Sequence, residues 1–311
     1  MNTLLNKRKE PIDKLAATSA GGHSLAAEAI RRMARSPVAI VGAVITGLFV
    51  LLAIFAPLLA PKDPFARTLQ DKVELGRGII PGPMPGYPLG VDDFGRDFLS
   101  RLIVGAQQTL LVGVCATLIG VSVGMVIGVL AGAFGGWVDT VLMRFIDVLL
   151  SVPSLLLAIS VAALFAKSNQ WTVIIAVSIV SVPIFARLLR GAMLAQRDAD
   201  HVLAATSLGV KRHTVVLRHM LPNSLGPVIV QATLTLATSI IEAAALSFLG
   251  LGDPDPSRAE WGLMLGKAAS QFLDIRPELA YYPAIAIIIV ALGFTLLGES
   301  MREALDPKNR R

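Results

Sequence analysis

Only one cysteine, Cys115, occurs in the 311 residues, so no disulfide can form within the chain and no cysteine-based metal site exists. Charge is scarce as well. Asp, Glu, Lys and Arg make up 16% of the sequence, against about 25% in an ordinary soluble domain. Hydrophobic residues fill 54% of it and the mean hydropathy is +0.67, so the surplus must be solvated by lipid rather than water. Histidine is rare too: His23, His201, His213 and His219 show neither HExxH spacing nor a carboxylate arrangement, which argues against metal binding. No Ser/His/Asp constellation lies at membrane depth. Gly262–Ala268 (GLMLGKA) resembles a nucleotide-binding loop only superficially. Three residues separate its glycines instead of four, and Ala268 stands where Ser or Thr would bind Mg²⁺. The chain is therefore expected to bind no cofactor and to hydrolyse no ATP itself.

What is abundant is long apolar sequence. Six segments can cross a bilayer core of about 30 Å at 1.5 Å per residue: Val38–Ala60, Val104–Ala131, Val148–Ala166, Trp171–Arg190, Leu225–Gly250 and Leu279–Gly298. The expected fold is thus an all-α polytopic membrane protein with six transmembrane helices. The first span follows 36 mostly polar residues and has about 23 apolar positions, too long for a signal-peptide core, so it reads as a retained anchor. The expected units are a polar N-terminal segment 1–36, a first helix 37–60, a loop 61–103, a five-helix core 104–300 and a tail 301–311.

The net charge of +6 does not point to nucleic acid, because the basic residues sit beside apolar stretches rather than in one patch. They set orientation instead. With the N-terminus cytoplasmic, inside segments hold 18 Lys and Arg against 10 outside, and Arg31, Arg32 and Arg35 abut the first span. Both termini are expected inside, together with segment 199–223. Two long excursions then face outward, Pro61–Ile103 and Asp253–Glu278. In the first, PGPMPGYP at Pro81–Pro88 excludes regular helix or sheet, since proline lacks the amide donor and fixes φ. Loops this long are uncommon without a binding role, although a simple cap over the membrane domain fits equally well.

Several residues inside the spans invite a mechanism. Gly120, Gly124, Gly128 and Gly132 recur every four residues along one helix face, where another helix, from the bundle or from a second subunit, can approach closely. Pro153 and Pro183, each in a Ser-Val-Pro triplet, are expected to kink the third and fourth spans. Glu242 lies well inside the fifth span, where a charge costs about 2.5–3.5 kcal/mol on insertion scales. It is expected to face the bundle interior, either lining a substrate path or holding a neighbouring helix. Gln231, Thr235 and Thr238 lead up to it as one polar stripe. Arg144 and Asp147, three residues apart, are expected to pair with each other.

The most distinctive stretch is Ala199–Asn223, ADHVLAATSLGVKRHTVVLRHMLPN, between the fourth and fifth spans. It reads as two short amphipathic helices hinged at Gly209, too polar for the membrane and too regular for a linker. Ala204, Ala205 and Leu208 form a small apolar face that admits a close partner, Gly209 permits the reversal, and Pro222 marks entry to the next span. On these residues the chain resembles the membrane subunits of binding-protein-dependent ABC importers. Their inner-loop pattern is E-A-A, three residues, G, nine residues, a hydrophobic residue, any residue, then L-P. Ala204, Ala205, Ser207, Leu208, Gly209, Leu221 and Pro222 fall within it, whereas Leu203 stands at the usual glutamate and His219 at the hydrophobic place.

Further segments resemble the dipeptide, oligopeptide and nickel branch: YPLGVDDFGRDFLSR (Tyr87–Arg101), FGGWVDTVLMRFIDVLLSVPSLLLA (Phe134–Ala158), RHMLPN (Arg218–Asn223), LSFLGLG (Leu246–Gly252) and LLGESMREALDP (Leu296–Pro307). Glu299 and Glu303 stand where that branch more often has aspartate. The order of these segments, with RRMARSP at Arg31–Pro37, is similar to the C-type permease of a peptide pair, and the likeness runs over about residues 30–307. It implies a type I ABC importer permease (MetI-like) fold in a bacterial plasma membrane. It also implies a second homologous permease, two ABC ATPases that carry the ATP and Mg²⁺, and an extracytoplasmic solute-binding protein. The 199–223 segment would be the coupling region gripped by an ATPase. Peptide is the expected cargo, with glutathione and nickel chelates as alternatives. An ion-coupled secondary transporter using Glu242 as proton carrier is the rival reading, and it leaves the hairpin unexplained.

Overall fold

The computed structural model describes residues 25–305; residues 1–24, with His23, and the tail from Asp306 lie outside the described residues. Helices α1 (Leu25–Met33), α2 (Pro37–Ile54) and α3 (Ala56–Leu59) open the chain. After a long irregular segment come α4 (Phe98–Phe134), α5 (Gly136–Ser151), α6 (Ser154–Ala163), α7 (Gln170–Arg197) and α8 (Asp200–Ser207). The continuous helix α9 (Arg212–Phe248), then α10 (Trp261–Gln271) and α11 (Glu278–Leu305), complete it. Among the described residues there is no strand, only three isolated β-bridges within 74–97. Among the described residues five helices are long and apolar enough to cross a membrane: α2, α4, α7, α9 and α11. A sixth crossing exists only if the bent pair α5 and α6 counts as one span.

Local chemistry explains the helix starts. Ser36 accepts a hydrogen bond from the Ala39 amide with Pro37 at the first position of α2, and Asp97 accepts from the Ser100 amide at the start of α4. Asn169 and Thr172 exchange both bonds of a capping box at α7. α4 and α7 pack along most of their lengths, with α9 against both; α11 joins α9 to α2.

Three expectations change. The first span ends at Ile54 rather than Ala60, because Pro57 cannot donate back to Ala53 and the chain restarts as α3. The third span is broken, not merely kinked: α5 and α6 meet at 97°, with Val152 extended at φ −91° and ψ 131° as a residue before proline prefers. Pro183, by contrast, sits inside an uninterrupted α7 and is fully buried there. The second half of the 199–223 hairpin is no separate helix either. It is the first turns of α9, which pass through a π-helical stretch at Val216–Met220.

Candidate functional site

The hairpin stands at the end of the bundle where α4 finishes, since the Arg212 guanidinium donates to the carbonyls of Ala133 and Phe134 and stacks on the Phe134 ring. α8 then reverses into α9 at Gly209, whose φ of +76° is a conformation that side-chain-bearing residues rarely adopt. One face of α8, Val202 and Ala205, is buried against Phe185, Leu189 and Met193 of α7 and Val215, Val216 and Met220 of α9. Asn223 ties the two limbs, donating to the His219 carbonyl at 2.7 Å and lying 3.3 Å from His201 Nε2.

The sequence-derived apolar face needs correcting here. Ala205 points into the chain's own core, whereas Leu203, Ala204, Ser207 and Leu208 are exposed, Leu208 by 85%. The outward surface is thus Leu203, Ala204, Ser207 and Leu208, with Gly209 beside it. Pro222 is exposed, and His219 and Leu221 are half-buried where α9 leaves the hairpin. Three of the four histidines are near this end without assembling a site, and among the described residues no group of three His, Cys, Asp or Glu is gathered around a metal position.

Deeper in the bundle, the α5–α6 break opens a cavity of about 500 Å³ between Ser151–Ser154, α7 at Ser181 and α9 at Thr235–Glu242. Glu242 is half-buried and faces the same cavity as Ser154 at the start of α6. The polar stripe only partly converges on it. Thr235, Thr238 and Glu242 share the cavity, but Gln231 donates at 3.3 Å to Thr235 Oγ1 one turn away and does not line it. Gly120, Gly124, Gly128 and Gly132 face α7 within the same chain: a Cβ at Gly124 would fall 2.6 Å from Phe185 Cβ and 2.7 Å from the Val182 carbonyl. Asp147 pairs at 2.5 Å with Arg187 of α7 and not with Arg144, so the pair links two helices instead of two turns of one. Arg190 of α7 binds Asp139 the same way, so two ion pairs pin α5 to α7 beside the cavity.

At the other end, sequence reading missed a compact ionic clasp. Asp92 Oδ2 meets Arg96 Nη2 at 2.6 Å and Arg101 Nε at 3.2 Å, all three side chains buried. Arg96 and Arg101 also donate to the carbonyls of Pro256 and Arg258, joining the 61–97 segment to the loop before α10. Glu260, the N-cap of α10, receives the Gly262 amide. Burial pushes its carboxyl up to about 7, and Asp253 adds repulsion, against opposing hydrogen bonds from Ser247 and the Gly262 and Leu263 amides. The Asp-Asp-Phe-Gly-Arg turn at Asp92–Arg96 is the one local signal of this clasp, because its other half lies some 160 residues away.

The profile of the family described as "binding-protein-dependent transport system inner membrane component" matches residues 124–311, and that of the "N-terminal TM domain of oligopeptide transport permease C" matches residues 24–74. The dipeptide transport system permease protein of Alkalihalophilus pseudofirmus is 41% identical over 281 residues, covering 90% of this chain and 89% of that protein. A glutathione transport system permease protein of Escherichia coli is 44% identical over 278 residues, 89% of each. Among solved structures, an inward-facing form of a methionine ABC transporter aligns with a TM-score of 0.54 at 16% identity, over 66% of this chain and 96% of that one. An amino acid ABC transporter aligns at 0.50 and 19% identity, over 69% and 95%. These last two show likeness of fold.

Proposed function

The chain belongs to the family of binding-protein-dependent transport system inner membrane components, and we propose that it is the C-type permease of an ATP-driven peptide importer. The carrying observation is the exposed Leu203, Ala204, Ser207 and Leu208 surface on a helix whose opposite face is locked into the core. An exposed leucine on a docked, reversed helix end is a surface made for a protein groove. In this reading the groove belongs to an ABC ATPase, the hairpin is cytoplasmic, and ATP and Mg²⁺ bind the ATPases alone. A second homologous permease completes the path, and an extracytoplasmic binding protein docks on the clasped end formed by 61–97 and 251–278.

Transmission follows from connectivity. α9 runs unbroken from Arg212 at the hairpin to Glu242 at the cavity, about 45 Å at 1.5 Å per residue. A displacement of the docked hairpin therefore moves one wall of the cavity directly, while the Asp139–Arg190 and Asp147–Arg187 pairs hold the α5 wall to α7. ATP then acts as a population shift, favouring the pose in which paired hairpins approach each other. Peptide cargo is supported by the dipeptide transport relative at 41% identity and by the glutathione transport relative at 44%, glutathione being itself a peptide.

The test is Leu208→Asp. Because Leu208 is 85% exposed, the change spares the core, so thermal stability should stay unchanged. Recovery of the ATPase subunits that co-purify with the unaltered chain should fall at least tenfold, the loss of one buried anchor at about 1.4 kcal/mol or more. ATP-driven peptide uptake should fall with it. Intact co-purification and uptake would refute the coupling assignment.

A further inference from the structure

We infer that Glu242 reads a cationic amine on the passing cargo, so that the free α-ammonium group of a peptide is the feature recognised inside the membrane. This rests on the importer reading above and adds the chemistry of the path. The cavity at the α5–α6 break holds about 500 Å³, within the roughly 300–1,000 Å³ of small-molecule sites. Ser151, Ser154, Ser181, Thr235, Thr238 and Ser239 line it with hydroxyls, and Glu242 is the one ionisable side chain among its lining residues.

Hydroxyls accommodate the amides and carboxylate of any peptide, but they carry no charge preference. Glu242 does. A carboxylate has about four acceptor positions, and even with Ser154 at the same cavity several are left for the three donors of an ammonium group. The break itself adds no net sign: α5 ends at Ser151 with its last carbonyls at the cavity wall, and α6 begins at Ser154 with its first amides there, so the two helix ends oppose each other and Glu242 is left as the charge of the site. An ammonium entering a membrane cavity loses hydration and needs such counter-charge, whereas an anion would be repelled. The site therefore selects amine-bearing zwitterions over anionic cargo, after the binding protein has made its own selection.

Two measurements on the complete importer, with its partner permease, ATPases and binding protein, test this. In liposomes loaded with ATP, uptake of dialanine should fall roughly 10- to 100-fold in Glu242→Gln, the worth of one charged hydrogen bond, and recover in part in Glu242→Asp. Glutamine keeps an acceptor for Ser154. If Glu242→Gln transported normally and only Glu242→Ala failed, Glu242 would be a positioning residue for the α6 terminus and the inference would be wrong. Charge is read separately by Thr238→Cys in a Cys115→Ser background. A cationic methanethiosulfonate reagent should label this position at least about tenfold faster than an anionic one, and Glu242→Gln should remove the preference. Equal rates with Glu242 in place would overturn the inference. Absence of ATP-driven uptake by the unaltered complex would instead sink the importer reading and this inference with it; normal uptake that ignores Glu242→Gln sinks this inference alone.

Discussion

Replacing Gly124 with alanine tests whether the glycine row of α4 is a built contact with α7 or mere glycine richness. At Gly120 the atom nearest an added Cβ is a serine hydroxyl, which can rotate away. At Gly124 the obstacles include backbone: the Val182 carbonyl at 2.7 Å and the Ala186 amide nitrogen at 3.1 Å, beside Phe185 Cβ at 2.6 Å. Ordinary contact begins at 3.4 Å, so the helices must part locally by about 0.7 Å, and the flanking Gly120 and Gly128 contacts loosen with them. Overpacking of this kind costs about 1–3 kcal/mol, and alanine returns up to about 1 kcal/mol of helix propensity. A net loss of about 1–2 kcal/mol follows, or several degrees in thermal midpoint at about 2–4 °C per kcal/mol. Gly191→Ala, in the same α7 interior with open space around it, is the control and should be neutral or stabilising by up to about 1 kcal/mol. Thermal unfolding of the detergent-purified chain, followed by tryptophan fluorescence, measures both. Equal midpoints for the two variants would refute the close helix approach.

Two further outcomes concern the clasped end. Glu260 binds its proton more tightly in the folded chain, with its carboxyl raised to about 7 from the ordinary 4.5. The stability it lends is full below pH 4.5 and declines by up to about 3 kcal/mol as pH rises through 7. Glu260→Gln should flatten the thermal midpoint across pH 5–8; a slope unchanged by that substitution would contradict the assignment. Arg101→Met removes a buried cation from Asp92 and from the carbonyls it serves, and should destabilise by about 3 kcal/mol while opening 61–97 to limited proteolysis. A variant as resistant to protease as the unaltered chain would show that the clasp does not hold the two loops together.

What could be read in advance and what could not divide along a physical line. Apolar runs and local turn chemistry act over a few residues, so the long apolar helices and the Gly209 reversal follow from the chain itself. Which face of a short helix is buried depends on partners far away in sequence. Ala205 is the plain case: next to Ala204 in the same motif, it is turned inward by Phe185 and Val216, leaving Leu203 and Leu208 outward. The two Ser-Val-Pro triplets make the same point more sharply. Both remove an amide donor and press the preceding residue toward an extended conformation. Around Pro183, α4 packs against α7, and burial outweighs the local preference, so the helix continues. Pro153 is exposed, nothing opposes the preference, and the chain turns through 97°. That unopposed proline frees the ends of α5 and α6, and Glu242 faces the freed end of α6 at Ser154 across the cavity. The cavity is thus a product of one proline left unpacked, and its charge comes from a residue nearly ninety positions away that only the fold brings to it.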